Sequence, residues 1–137
     1  MTLPDLVLVV DDNAADLDLA VEAFAEVTPH LEVIGVTMGS EALSFLQGPD
    51  ASRVGLVLLD LNLPRMHGFE VLRALRALPT LGGLPVVMLT TSEAGEDLQR
   101  SEVLGASAYA HKPVEYRGYL RLVQDLVTSW LPRESGR

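Results

Sequence analysis

Four apolar runs in this chain end on groups that can do chemistry. LVLVV is followed by Asp11 and Asp12, LVLL by Asp60, VVML by Thr90, and the run through Ala110 by His111 and Lys112. Carboxylates brought together repel one another unless a cation joins them. The chain has no cysteine and no paired-histidine motif, so its donors are hard oxygens, which favour Mg²⁺, with Mn²⁺ as the alternative, over zinc. Mg²⁺ takes one or two carboxylates and keeps water and phosphate oxygens in its other positions. A metal beside Asp60 orients that carboxylate for attack on phosphorus, giving an acyl phosphate. Thr90 and Lys112 then bind the phosphoryl oxygens. Such a step gathers about −1.5 to −2 charge and strong acceptors at one point. Taken singly, each residue has a plainer use: Asp11 and Asp12 as helix caps, Asp60 as a loop carboxylate, Thr90 as a structural hydroxyl, Lys112 as a solvated cation. Their placement at successive strand ends argues for one site.

The elements that must position these groups alternate strictly. Leu6–Val10, Leu31–Val36, Leu56–Leu59, Pro85–Leu89 and Ala108–Ala110 have the length and apolar continuity of strands. Between and after them lie helical patterns: Leu17, Val21, Phe24 and Val27; Ser40–Gln47, stopped by Gly48-Pro49; Phe69 to Leu78; Gly95–Leu104, with Gly105 beyond its end; and Tyr116–Leu131. Runs apolar on both faces indicate a parallel sheet buried on both sides. The chain is therefore predicted to be a doubly wound α/β domain, a flavodoxin-like (βα)5 sandwich with strand order 2-1-3-4-5. In such sheets ligands bind outside the carboxyl ends of the strands. That order sets strand three between strands one and four. Asp11, Asp12 and Asp60 then converge, with Thr90 on one side and Lys112 reaching across from two strands away.

Composition narrows the function classes. The 137 residues are 48% hydrophobic and 21% charged, ordinary values for a globular protein. No apolar run approaches the roughly 18 residues that span a bilayer, and MTLPDLVLVVDD has neither a basic start nor a cleavage site. A cytoplasmic protein without a membrane partner is expected. The net charge of −9 argues against nucleic acid. Of ten basic residues only Lys112 is a lysine. No GxxxxGK[ST] or GxGxxG loop occurs, and Asp11-Asp12-Asn13 after strand one would repel a flavin phosphate. His30, His67 and His111 have no mutual metal spacing and are expected at the surface.

VVDDN, LLDLNLPRMHG, PVVMLTTS and GASAYAHKP, in this order and spacing, closely resemble the receiver domain of bacterial two-component response regulators. The resemblance implies that Asp60 is a phospho-acceptor charged by a partner histidine kinase. It implies that Asp11 and Asp12 are the acidic metal pair, Asp12 the more direct ligand, joined by Asp60 and the backbone carbonyl of Asn62 around Mg²⁺. Thr90 becomes the switch hydroxyl and Lys112 the phosphate-binding lysine, with Lys112-Pro113 as a cis peptide. Tyr109 becomes the aromatic switch residue, and Pro64 and Gly68 belong to the loop after the acceptor. LTTS, LPTLGGLP and Trp130-Leu131 look like the stand-alone receivers paired with phytochrome-type histidine kinases.

One receiver domain over residues 1–131, a disordered tail at 132–137 and no output domain are expected. Signalling then proceeds by contact or phosphate transfer. The last helix carries apolar residues over an arc of roughly 180°, wider than one buried stripe needs. A homodimer through Tyr119, Leu122, Leu126 and Trp130 is the expectation. The helix before it, with only Leu98, Val103 and Leu104, is thinly anchored and suited to move with Tyr109. The chain is expected to be a signalling protein. The competing function is a Mg²⁺-dependent small-molecule phosphatase or phosphotransferase, which would need a cap over its substrate. A third reading is an interaction module that never carries phosphate.

Overall fold

Three strands are buried along their whole length: β1 (Leu6–Val10), β3 (Val54–Asp60) and β4 (Val86–Thr90). A strand covered on both faces belongs inside a parallel sheet, and all four pairings here are parallel. The half-exposed strands β2 (Glu32–Val36) and β5 (Ala108–His111) are the edges. The sheet order is β2-β1-β3-β4-β5, as expected for the (βα)5 sandwich. The structure, a computed structural model, describes residues 3–91 and 95–131. The expected tail at 132–137 lies outside the described residues.

Successive strand residues feed opposite cores. Leu8, Val10, Val57, Leu59 and Met88 point to the face covered by α2 (Gly39–Phe45) and α3 (Gly68–Arg76), meeting Ala42, Val71, Leu72 and Leu75. Val7, Val9, Leu56, Leu58 and Val87 point to the face covered by α1 (Ala14–Val27) and α5 (Tyr116–Trp130), meeting Ala23, Phe24, Val123 and Leu126. The remaining helix, α4 (Gly95–Val103), ends on Gly105, whose φ of +98° is the left-handed conformation glycine tolerates. The Ala106 N–H then closes back to the Ser101 carbonyl at 2.9 Å, a Schellman end. No helix among the described residues is long and apolar enough to cross a membrane.

Some details differ from the sequence expectations. α2 stops at Phe45 because the N–H groups of Gln47 and Gly48 bond three residues back, at 3.2 and 3.1 Å, tightening the last turn. The Lys112–Pro113 peptide is trans, since no cis bond occurs among the described residues; even before proline the tertiary amide favours trans by about 0.5–1 kcal/mol. Tyr119 and Leu126 cannot form an intermolecular face, because both are buried in the α1–α5 core. Of the expected dimer residues only Leu122 and Trp130 retain exposed surface.

Gly68 is the tightest point between the core and the acceptor strand. Its N–H donates to the Leu61 carbonyl at 2.9 Å, and a Cβ there would lie 2.7 Å from the Asp60 carbonyl oxygen and 2.7 Å from the Leu61 Cα. Both obstacles are backbone. Gly68→Ala is expected to cost about 1–3 kcal/mol and lower the thermal midpoint by about 3–10 °C. Gly82, where an added Cβ would meet nothing within 4 Å, serves as the control. Gly82→Ala should leave the midpoint within about 2 °C. Differential scanning calorimetry of both variants checks the contrast.

Candidate functional site

The carboxyl ends of the central strands bring the acidic groups together. Asp11 follows β1, and its N–H donates to the Val36 carbonyl at 3.1 Å, holding it against the end of β2. Its Oδ1 accepts the Asn13 N–H at 2.9 Å and its Oδ2 lies 2.8 Å from Lys112 Nζ. Asp60 ends β3, is only 4% exposed, and accepts the Asn62 N–H on Oδ1 at 3.2 Å. Its Oδ2 lies 3.4 Å from the same ammonium. Asp12 is exposed beside them, and one oxygen from each of Asp11, Asp12 and Asp60 falls within 4.8 Å of the others. Lys112 comes from the far edge. Its N–H donates to the Thr90 carbonyl at 2.8 Å, which sets the side chain, 9% exposed, to cross the tops of β4 and β3.

The electrostatics follow from burial working against pairing. Burial lifts the Asp11 carboxyl above the usual carboxylate range, and Asp60 adds to the lift; Lys112 and the Asn13 N–H oppose it. Burial alone would pull Lys112 down. The bonds to Asp11 and Asp16, with the nearby charge of Asp60, outweigh it and hold the ammonium above its ordinary value. The donor set suits a hard divalent cation: clustered carboxylate oxygens, no sulfur, and one side open to solvent through Asp12.

Thr90 is fully buried at the end of β4, one residue beyond the Asp60–Leu89 pairing. Its side chain is hydrogen-bonded to Tyr109, whose half-buried ring packs on the α2–α3 core. Burial raises the Tyr109 phenol, partly offset by that bond. The loop leaving Asp60 passes through Arg65 at φ +65°, a left-handed conformation unusual for a residue with a Cβ. His67 is half-buried rather than merely on the surface. Its Nδ1 accepts the Phe69 N–H at 3.2 Å while the Glu70 carboxylate accepts the His67 N–H at 3.0 Å, capping α3. His30 and His111 are exposed as expected, though His111 Nδ1 lies 3.3 Å from the Thr90 carbonyl.

Sequence reasoning missed one member of the site. Asp16 Oδ2 lies 3.1 Å from Lys112 Nζ, closer than Asp60. Asp16 sits in the first turn of α1, where an acidic residue is ordinarily explained by the helix dipole. The signal that could have found it was the lone lysine set against an excess of nearby acids.

Removing Lys112 strands two buried carboxylates. Lys112→Ala is expected to cost about 3 kcal/mol at neutral pH, the scale for breaking a buried pair. Without the ammonium, burial and the charge of Asp60 hold the Asp11 carboxyl further above its unfolded value. The folded variant then binds a proton more readily than the unfolded one, so its stability rises as pH falls. Its deficit against wild type should be largest near pH 7 and shrink as the pH falls, because this carboxyl takes up its proton in the folded variant before it does in the unfolded one. Urea titrations across that range check it; a pH-independent deficit is the contrary result.

The comparisons with known proteins agree with this geometry. Residues 7–124 match the response regulator receiver domain family. Response regulator Rcp1 of Synechocystis sp. is 36% identical over 132 residues, covering 93% of this chain and 90% of its own length. The crystal structure of the phosphorylated cyanobacterial phytochrome response regulator RcpA matches with a TM-score of 0.83 at 37% identity, covering 94% of this chain and 99% of that one. The Mn²⁺-bound form of Rcp1 matches with a TM-score of 0.81 at 35% identity, covering 96% and 98%. With its acidic cluster at the strand ends, its sheet order and a family match over most of its length, this chain belongs to the response regulator receiver domain family.

Proposed function

We propose that this protein is a single-domain response regulator that accepts a phosphoryl group on Asp60 from a partner histidine kinase. The observation that carries the reading is the buried Asp60 carboxylate, held by Lys112 and gathered with Asp11 and Asp12 at the end of the central strand. An Asp60 oxygen attacks the phosphorus of a phosphohistidine. The P–O bond forms, the P–N bond breaks, and the imidazole leaves with a proton from solvent. Asp11, Asp12, Asp60 and the Asn62 carbonyl would hold Mg²⁺, which neutralises charge on the phosphoryl oxygens when bound. Lys112 takes one phosphoryl oxygen and Thr90 another, and Thr90 gives up its bond to Tyr109 to do so. Tyr109 thereby reports the event to α4, whose Leu98 and Val103 are 44% and 85% exposed.

The finer assignments rest on the relatives. The likeness to a phytochrome response regulator supports a phytochrome-type, light-sensing kinase as partner. The domain occupies residues 1–131 and signals by contact in the cytoplasm, not as an enzyme and not on nucleic acid, in keeping with its charge of −9. A homodimer pairs through the exposed parts of Leu122 and Trp130 on α5. The small-molecule phosphatase reading is the weaker one. A cavity of about 590 Å³, lined by Pro4, Gly55, Pro85 and Trp130 among others, lies at the amino ends of the strands, away from Asp60.

Intact mass after incubation with Mg²⁺ and acetyl phosphate tests the acceptor. Wild type should gain one phosphoryl group, and chelator or Asp60→Asn should abolish the gain. Asp60→Asn should also melt no lower than wild type without metal, because it relieves crowding among like charges. Phosphoryl uptake by Asp60→Asn would sink the assignment. Sedimentation before and after phosphorylation tests the dimer, and a monomer in both states removes it.

A further inference from the structure

The ammonium of Lys112 is shared by three carboxylates, and its two shorter contacts are not with the acceptor strand. Asp11 Oδ2 lies at 2.8 Å, Asp16 Oδ2 at 3.1 Å and Asp60 Oδ2 at 3.4 Å. The three ammonium protons can serve one carboxylate each. Asp16 has the backbone position of a capping-box acid: its N–H donates to Oδ1 of the cap residue Asn13 at 3.0 Å. In a capping box the carboxylate turns back to the cap's own N–H. Here one of its oxygens is on Lys112, with the side chain 28% exposed. Tyr119 of α5 has its hydroxyl buried nearby, and burial, then the charge of Asp16, raises its phenol.

We propose that Asp16 is a positioning residue for Lys112: it draws the ammonium toward α1 and away from Asp60, so that the acceptor oxygen stays open to a divalent cation and to phosphorus. The proposal rests on the reading of Asp60 as the phospho-acceptor. The ammonium and a divalent cation would compete for the same two carboxylates, Asp11 and Asp60. With Asp16 present, part of the ammonium's charge is engaged on the helix side. With Asp16 neutralised, the ammonium settles on Asp60 and must be displaced before a cation can bind. Asp16 therefore acts through Lys112 and touches no reacting atom.

Calorimetric titration of the full chain with Mg²⁺ tests this without phosphoryl chemistry. Asp16→Asn should weaken Mg²⁺ roughly three- to fivefold, the upper end of the scale for one partly screened ion pair. Asp16→Glu, which keeps the charge, should recover most of the loss. Asp18→Asn removes a charge from an exposed position on the same helix and should change affinity less than about twofold. The deciding measurement is Asp16→Asn in a Lys112→Gln background, where its effect should fall below about twofold, since neighbours that act together do not add. An equal loss in both backgrounds would mean that Asp16 acts only by its field, and overturns the proposal. No loss in the wild-type background overturns it as well, as does a wild type that does not bind Mg²⁺. Phosphoryl uptake from acetyl phosphate should follow: slower for Asp16→Asn at low Mg²⁺, restored at saturating Mg²⁺. A wild type that binds Mg²⁺ but gains no phosphoryl group would defeat the acceptor assignment, while the titration still judges Asp16.

Discussion

One ammonium ties together carboxylates from three segments that the sheet brings to one place. Lys112 leaves the end of β5 and meets Asp11 after β1, Asp16 on α1 and Asp60 at the end of β3. Buried carboxylates this close would be costly without it, because each loses its water and then faces a neighbour of like charge. The ammonium does not balance them. Asp12 is a fourth carboxylate at the same place, so the site keeps a deficit of positive charge. That deficit makes the site receptive to a divalent cation. A fully neutralised knot would be more stable and chemically idle.

The sheet is the device that creates this crowding. β1 and β3 are hydrogen-bonded neighbours, so the residues at their carboxyl ends must lie side by side. β4 flanks β3 and carries Thr90 one residue past the register of Asp60. β5 lies one strand further, and only a long side chain on it can reach Asp60. The two apolar cores hold these strand ends rigidly, since successive residues of β1, β3 and β4 are locked into opposite faces. A slip of one residue in β3 would exchange every core contact on both faces, so the position of Asp60 is secured by the whole strand.

Much of this was legible in the sequence, for a physical reason. Strands buried on both faces leave uninterrupted apolar runs, and the first polar residue after each run marks a carboxyl end. Asp11, Asp60 and Thr90 were visible in that way. Asp16 and His67 were not, because each sits at a helix start, where a capping explanation already accounts for a polar residue. Local spacing says that Asp16 suits the first turn; only the tertiary fold says that Lys112 arrives above it. The α5 face shows the same limit. An apolar arc of roughly 180° fits a deeply buried helix as well as a shared one. Packing decided in favour of burial for Tyr119 and Leu126.

The proposed route out of the site follows from what Thr90 touches. It is fully buried, so its hydroxyl cannot trade partners with solvent at little cost. Its bond to Tyr109 satisfies it in the structure described. A phosphoryl group on Asp60 offers a stronger, charged acceptor at the neighbouring strand end. Under the proposed phosphorylation, competition for one hydroxyl would connect the chemistry at β3 to an aromatic ring on β5. Beyond that ring lies α4, which leaves Leu98 and Val103 exposed. A small change in the packing of Tyr109 meets little resistance there, whereas the same change beneath α1 or α5 would have to disturb a fully buried core. Under the proposed phosphorylation, the asymmetry of packing between the buried strand ends and the exposed residues of α4 would give the signal its direction.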